Sequence, residues 1–223
     1  MKIENSILKH YLKNVYFITG TAYAGKSTAA KMLAERFDMI LCEENYHMRV
    51  SEEIATPETH PDLCYNKMLS DWREFVLRAP EEYERWIYAV GREAAEFEVA
   101  ELISLAASGK RIVVDTSIPL DLLREISDYS RVAVMLSPSS LSVDRFFDRD
   151  DPDKQFLLQV IESCDDPKAA MENYRQGLLR INSRAHYDEY AESGFFTLLR
   201  ENDGRDTRCE VLDALARHFG LLR

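Results

Sequence analysis

The run Gly20-Thr21-Ala22-Tyr23-Ala24-Gly25-Lys26-Ser27 fits the spacing G-x-x-x-x-G-K-S/T at every fixed position, a pattern whose residue types suit it to hold a chain of phosphates. The glycines admit backbone conformations closed to other residues, so successive main-chain N–H groups can converge on anionic oxygens. Lys26 adds a compact cation that reaches terminal phosphates, and the Ser27 hydroxyl is a ligand for Mg2+. Gly20, Ala22, Tyr23, Ala24, Gly25, Lys26, Ser27 and Thr28 are therefore the candidate nucleotide contacts, with ATP and Mg2+ as the expected ligands. A turn that merely joined two elements would need neither Lys26 nor Ser27.

Asp115 closes the apolar run Arg111-Ile112-Val113-Val114. A carboxylate there can hold Mg2+ directly or through water, which makes Ser27 and Asp115 the candidate metal residues; the competing role is a cap for the turn Thr116 to Pro119. Arg145 and Arg149 are four apart, so on a helix both guanidinium groups project from one face, either toward a phosphate or into pairs with Asp144, Asp148, Asp150 and Asp151. Trp72, Tyr83, Trp86 and Phe97 can pack a core or line a pocket, and Arg73, Arg78, Arg85 and Arg92 can form surface pairs or recognise an anion.

The elements that must position these groups follow from periodicity. Val15-Tyr16-Phe17-Ile18-Thr19 is a β-branched and aromatic run halted by Gly20, hence a first buried strand. Ala30, Leu33, Ala34 and Phe37 recur at helical spacing after it, and Met39 to Cys42 supplies a second strand. Residues 46–108 read as a helical insertion, with Tyr83, Ile87, Val90, Ala94 and Phe97 on one face and Gly109 as a stop. Third, fourth and fifth strands are expected at Arg111–Asp115, Arg131–Leu136 and Phe195–Leu199. Residues 139–166 read as a charged, mobile loop flanked by short helices. One long helix is expected from Pro167, capped by Asp166, to Gly194, and a capping box Thr207-x-x-Glu210 is expected to open the last helix. Strands alternating with helices imply an α/β domain whose parallel sheet is covered on both faces.

The chain has 223 residues, 46% of them hydrophobic and 30% charged. That length and composition suit one globular domain carrying an insertion. A net charge of −11 disfavours a phosphodiester partner, so nucleic acid is not expected. No apolar run is long enough to span a membrane and no export signal is evident, so a cytoplasmic protein, monomer or homodimer, is expected. Cys42, Cys64, Cys164 and Cys209 are scattered without ligand spacing and read as reduced core thiols.

With its phosphate-holding motif between a strand and a helix, the chain resembles the small P-loop kinases, a group that includes nucleoside monophosphate kinases, shikimate kinase, gluconate kinase and chloramphenicol phosphotransferase. The resemblance covers almost the whole length. It implies a three-layer P-loop NTPase fold, with a five-stranded parallel sheet in the order 2-3-1-4-5, an acceptor-binding insertion at 46–108 and an arginine-bearing lid at 139–166. Asp165-Asp166-Pro167 through Tyr187 and Tyr190 looks like the tail of adenylate kinases. After strand three, however, nucleoside monophosphate kinases carry D-G-F-P-R, whereas Asp115-Thr116-Ser117-Ile118-Pro119-Leu120 has no arginine. Glu43-Glu44-Asn45-Tyr46-His47 follows strand two, where gluconate kinase has an acidic residue near the acceptor hydroxyl; Glu44 is the expected base or orienting group, with a solvated turn as the other role. The activity implied is transfer of the ATP γ-phosphoryl group to a small-molecule acceptor by Lys26, Glu44, Asp115, Arg145 and Arg149. The alternatives are a nucleotide-dependent regulatory NTPase and an ATP-binding protein without kinase activity.

Overall fold

The computed structural model describes residues 3–138, 143, 146–148, 151–201 and 205–222. Its centre is a five-stranded parallel sheet in the order β2-β3-β1-β4-β5, built from β1 (Val15–Gly20), β2 (Ile40–Cys42), β3 (Ile112–Asp115), β4 (Val132–Leu136) and β5 (Phe196–Leu199). Alternate side chains along each strand go to opposite faces. Val15, Phe17, Ile112, Val114, Val132 and Val134 join one core, while Tyr16, Ile18, Val113, Ala133 and Met135 join the other.

Helices cover both faces, giving three layers. In chain order they are α1 (Asn5–Tyr11), α2 (Lys26–Phe37), α3 (Met48–Ile54), α4 (Tyr65–Met68), α5 (Arg73–Val76), α6 (Pro80–Ala106), α7 (Leu120–Ile126), α8 (Pro152–Glu162), α9 (Pro167–Ile181), α10 (Arg184–Ala191) and α11 (Arg208–His218). Ala30 and Leu33 of α2 and Leu212 and Leu215 of α11 fill one side of the sheet. Ala95 and Leu102 of α6 and Leu120 and Leu123 of α7 fill the other.

The 27-residue helix α6 serves two cores. Its far half reaches the sheet, whereas Tyr83 near its start joins Phe75, Val160, Ile161, Tyr174 and Leu178 in a third cluster. That cluster combines the insertion with α8 and α9. Tyr83 and Phe97 are buried and Trp72 and Trp86 pack against the cluster, so these aromatic residues build cores. Arg73, Arg85 and Arg92 make exposed pairs with Asp71, Glu82 and Asp121, and Arg78 lies 3.9 Å above the Tyr65 ring.

Several local expectations change. The charged segment after β4 contains the eleven-residue helix α8, because the Asp151 side chain accepts from the N–H groups of Asp153 and Lys154 and Pro152 occupies the first turn. The long helix expected from Pro167 to Gly194 is two helices. Ser183 is extended, at ψ 164°, and its hydroxyl accepts from the His186 N–H to start a new helix. Thr207 makes no side-chain cap bond, so the expected capping box is absent; Asp206 instead accepts from the Arg208 N–H. Cys42, Cys64 and Cys164 are buried thiols, but Cys209 is exposed beside the start of α11. Among the described residues, no helix is long and apolar enough to cross a membrane.

Candidate active site

The segment between β1 and α2 is held open by its own backbone geometry. Gly20 has φ 126°, and a Cβ there would stand 2.0 Å from the Met135 carbonyl oxygen, so the close pass beside β4 requires glycine. Gly25 caps α2 in the left-handed region at φ 90° and has no side chain to satisfy the first-turn amides. The start of α2 therefore presents N–H groups and the positive end of a twelve-residue helix dipole. Lys26 does not trail into solvent: its Nζ donates to the Thr21 carbonyl at 3.2 Å, which folds the ammonium back over the segment.

Two side chains outside the motif brace it. Ser137, fully buried at the end of β4, donates its hydroxyl to the Ala22 carbonyl at 2.6 Å, and its N–H donates to Thr21 Oγ1 at 2.8 Å. Arg200, just after β5, donates to the Tyr23 carbonyl at 2.9 Å. The brace matters because Tyr23 has φ 63°, an uncommon conformation for a bulky residue. Lys154 of α8 sets its Nζ 5.8 Å from the centre of the Tyr23 ring. None of these three residues stands out by spacing; only the strand-end positions of Ser137 and Arg200 hinted at them.

Asp115 ends β3, 1% exposed, and its Oδ2 accepts from the Ser27 hydroxyl at 2.6 Å. Its Oδ1 is buried and has no hydrogen-bond partner among the described residues. Burial pushes the carboxyl up from its usual range, while Lys26 and the Ser27 hydroxyl pull it back and Glu44 adds to the rise. An orphaned carboxylate oxygen beside a hydroxyl oxygen is a donor set that fits a hard divalent cation such as Mg2+.

Glu44 lies in the exposed turn after β2, where Asn45 takes φ 66°. Its negative charge acts on both Asp115 and Glu98, whereas Glu43 does not figure among the charges acting on either. His47 is buried, and burial lowers its pKa from the ordinary imidazole value. Arg145 and Arg149 lie outside the described residues.

Sequence reading overlooked Glu98. This α6 carboxylate is 4% exposed and accepts from the Thr116 hydroxyl at 2.6 Å. Its pKa is raised to about 7, first by burial and then by Asp115 and Glu44, with the Thr116 hydrogen bond opposing them. A charged letter on an otherwise apolar helix face was the signal available.

Beyond the Gly20–Thr28 segment, a cavity of about 350 Å³ opens between α2 and the start of α11. Gly25, Thr28 and Arg200 line it, and Met32, Met135 and Val211 give it apolar walls. It is a volume of the size small ligands use, continuous with the amides at the start of α2.

No protein-family model and no curated protein sequence matches the chain. Among solved structures it is similar to a dephospho-CoA kinase from Campylobacter jejuni, with a TM-score of 0.42 and 16% identity over 94% of this chain and 99% of that chain. The fold assignment stands on the strand order and register of this molecule.

Proposed function

We propose that this protein is an ATP-dependent phosphotransferase that moves the γ-phosphoryl group to a hydroxyl of a small molecule. The observation that carries the reading is the Gly20–Thr28 segment, with Lys26 folded over it and Ser27 bonded to an Asp115 whose second oxygen has no partner among the described residues.

In this reading the amides of residues 22–28 bind the phosphate chain and Lys26 holds its terminal oxygens. Ser27 and Asp115 would hold Mg2+, which when bound supplies positive charge against the charge that builds on the phosphoryl oxygens. The cavity beyond Thr28 receives the base and ribose, and Arg200, which lines it, also holds the Tyr23 carbonyl of the phosphate segment. Glu44 orients the acceptor hydroxyl or takes its proton, since it is the exposed carboxylate close enough to act on Asp115. The helices of residues 46–108 supply the acceptor side, and α8, whose Lys154 approaches the Tyr23 ring, serves as part of a lid. The absence of an arginine between Asp115 and Leu120 favours an acceptor other than a nucleoside monophosphate.

The test is ADP release from Mg-ATP across a panel of nucleosides, sugar acids, amino sugars and nucleotides. At least one acceptor should raise the rate well above hydrolysis in water, Lys26→Ala should abolish it, and Glu44→Gln should lower kcat at least tenfold with KM for ATP within about threefold. ATP turnover that ignores every acceptor and partner compound, or that survives Lys26→Ala, contradicts the proposal.

A further inference from the structure

The end of β3 divides its last two polar side chains between the two faces of the sheet. Asp115 follows Val113 toward the α2 side and meets Ser27 at 2.6 Å. Thr116, fully buried like its neighbour, turns to the other face and meets Glu98 at 2.6 Å. The Thr116 main chain is also fixed, its N–H donating to the Ile18 carbonyl at 3.0 Å, and its hydroxyl accepts from the Ile118 N–H at 3.0 Å. That hydroxyl has one proton to give, and it goes to Glu98. On the helix side, the Glu98 main-chain carbonyl accepts from the Tyr46 hydroxyl at 3.0 Å, which ties in the turn that carries Glu44.

A line of short contacts therefore runs Ser27, Asp115, Thr116, Glu98 and on to the insertion. A buried carboxylate is costly, and an apolar residue of the same size would suit a face that already holds Ala95 and Leu102. Removing the carboxylate would leave the Thr116 hydroxyl proton buried without its acceptor and the side chain held by the Ile118 N–H alone, with Asp115 attached to it through a single peptide unit.

Resting on the phosphotransferase reading, we propose that Glu98 is a positioning residue: through Thr116 it fixes Asp115 against Ser27, so that helix α6 of the insertion sets the geometry of the divalent-cation site.

The test is calorimetric titration with a nonhydrolysable ATP analogue, with and without Mg2+, on the full chain and on Glu98→Leu, Glu98→Gln, Thr116→Val and Thr116→Ser. In the unaltered protein Mg2+ should tighten binding at least tenfold. Glu98→Leu and Thr116→Val should lose most of that gain while keeping the Mg2+-free affinity within about twofold, and Glu98→Gln and Thr116→Ser, which preserve the hydrogen bond, should keep the gain. A loss of Mg2+-free affinity equal to the loss with Mg2+ would mean that Glu98 serves stability alone and would overturn the inference, as would a full gain in both Glu98→Leu and Thr116→Val. An unaltered protein that binds no analogue refutes the phosphotransferase reading itself, and this inference with it.

Discussion

Burying Glu98 costs the fold stability that a neutral side chain would not, and the cost has a definite pH dependence. Its folded pKa, about 7, lies above the ordinary 4.5, so between those values the folded chain retains a proton that the unfolded chain has released. Stability from this group is complete below about pH 4.5 and falls as pH rises toward 7, by about 3 kcal/mol in all. Glu98→Gln should therefore match the unaltered protein near pH 4 and exceed it in melting temperature at pH 8; equal melting temperatures at both pH values would contradict the assignment. At this scale the candidate phosphate segment is legible in the sequence because its spacing is local: eight consecutive positions specify turn, cation and hydroxyl together. Glu98 and Ser137 are not, because what ties each to the candidate site is a contact with a residue far along the chain, 18 and 115 positions away.

Elements were legible in proportion to how far local side-chain chemistry decides them. Asp166 caps α9 as its spacing from Pro167 foretells, accepting from the N–H groups of Lys168 and Ala169. Thr207 has the same kind of sequence signal and makes no such bond, because its backbone, at φ −102° and ψ 13°, is not in the extended conformation a cap normally adopts. The two sites make a matched comparison. Asp166→Ala should cost about 1 kcal/mol in denaturant unfolding and Thr207→Ala less than about 0.5 kcal/mol; equal costs would show that the cap geometry is wrong. The break between α9 and α10 escaped the periodicity because apolar positions continue through Ile181 and Ala185, while Ser183 and its hydrogen bond to His186 decide the backbone. Helices α1 and α7, seven residues each, are too short to announce themselves by period.

For the whole molecule, strand number, strand positions and the parallel arrangement follow from alternating apolar runs and helical periods, and the order β2-β3-β1-β4-β5 agrees with the family resemblance. What no local pattern conveys is that α6 belongs to two cores at once and that the segment after β4 packs its helix against the insertion. That arrangement joins the helical insertion to the end of β3, where Asp115 faces Ser27. The chemistry, however, rests on one claim: the segment from Gly20 to Thr28 wraps the phosphates of ATP. The most direct measurement is equilibrium binding of a nonhydrolysable ATP analogue with Mg2+ to the unaltered chain and to Lys26→Ala. Binding should be saturable and one-to-one, and Lys26→Ala should weaken it at least tenfold, about 1.4 kcal/mol or more. No binding to the unaltered chain, or equal binding to both, would contradict that claim.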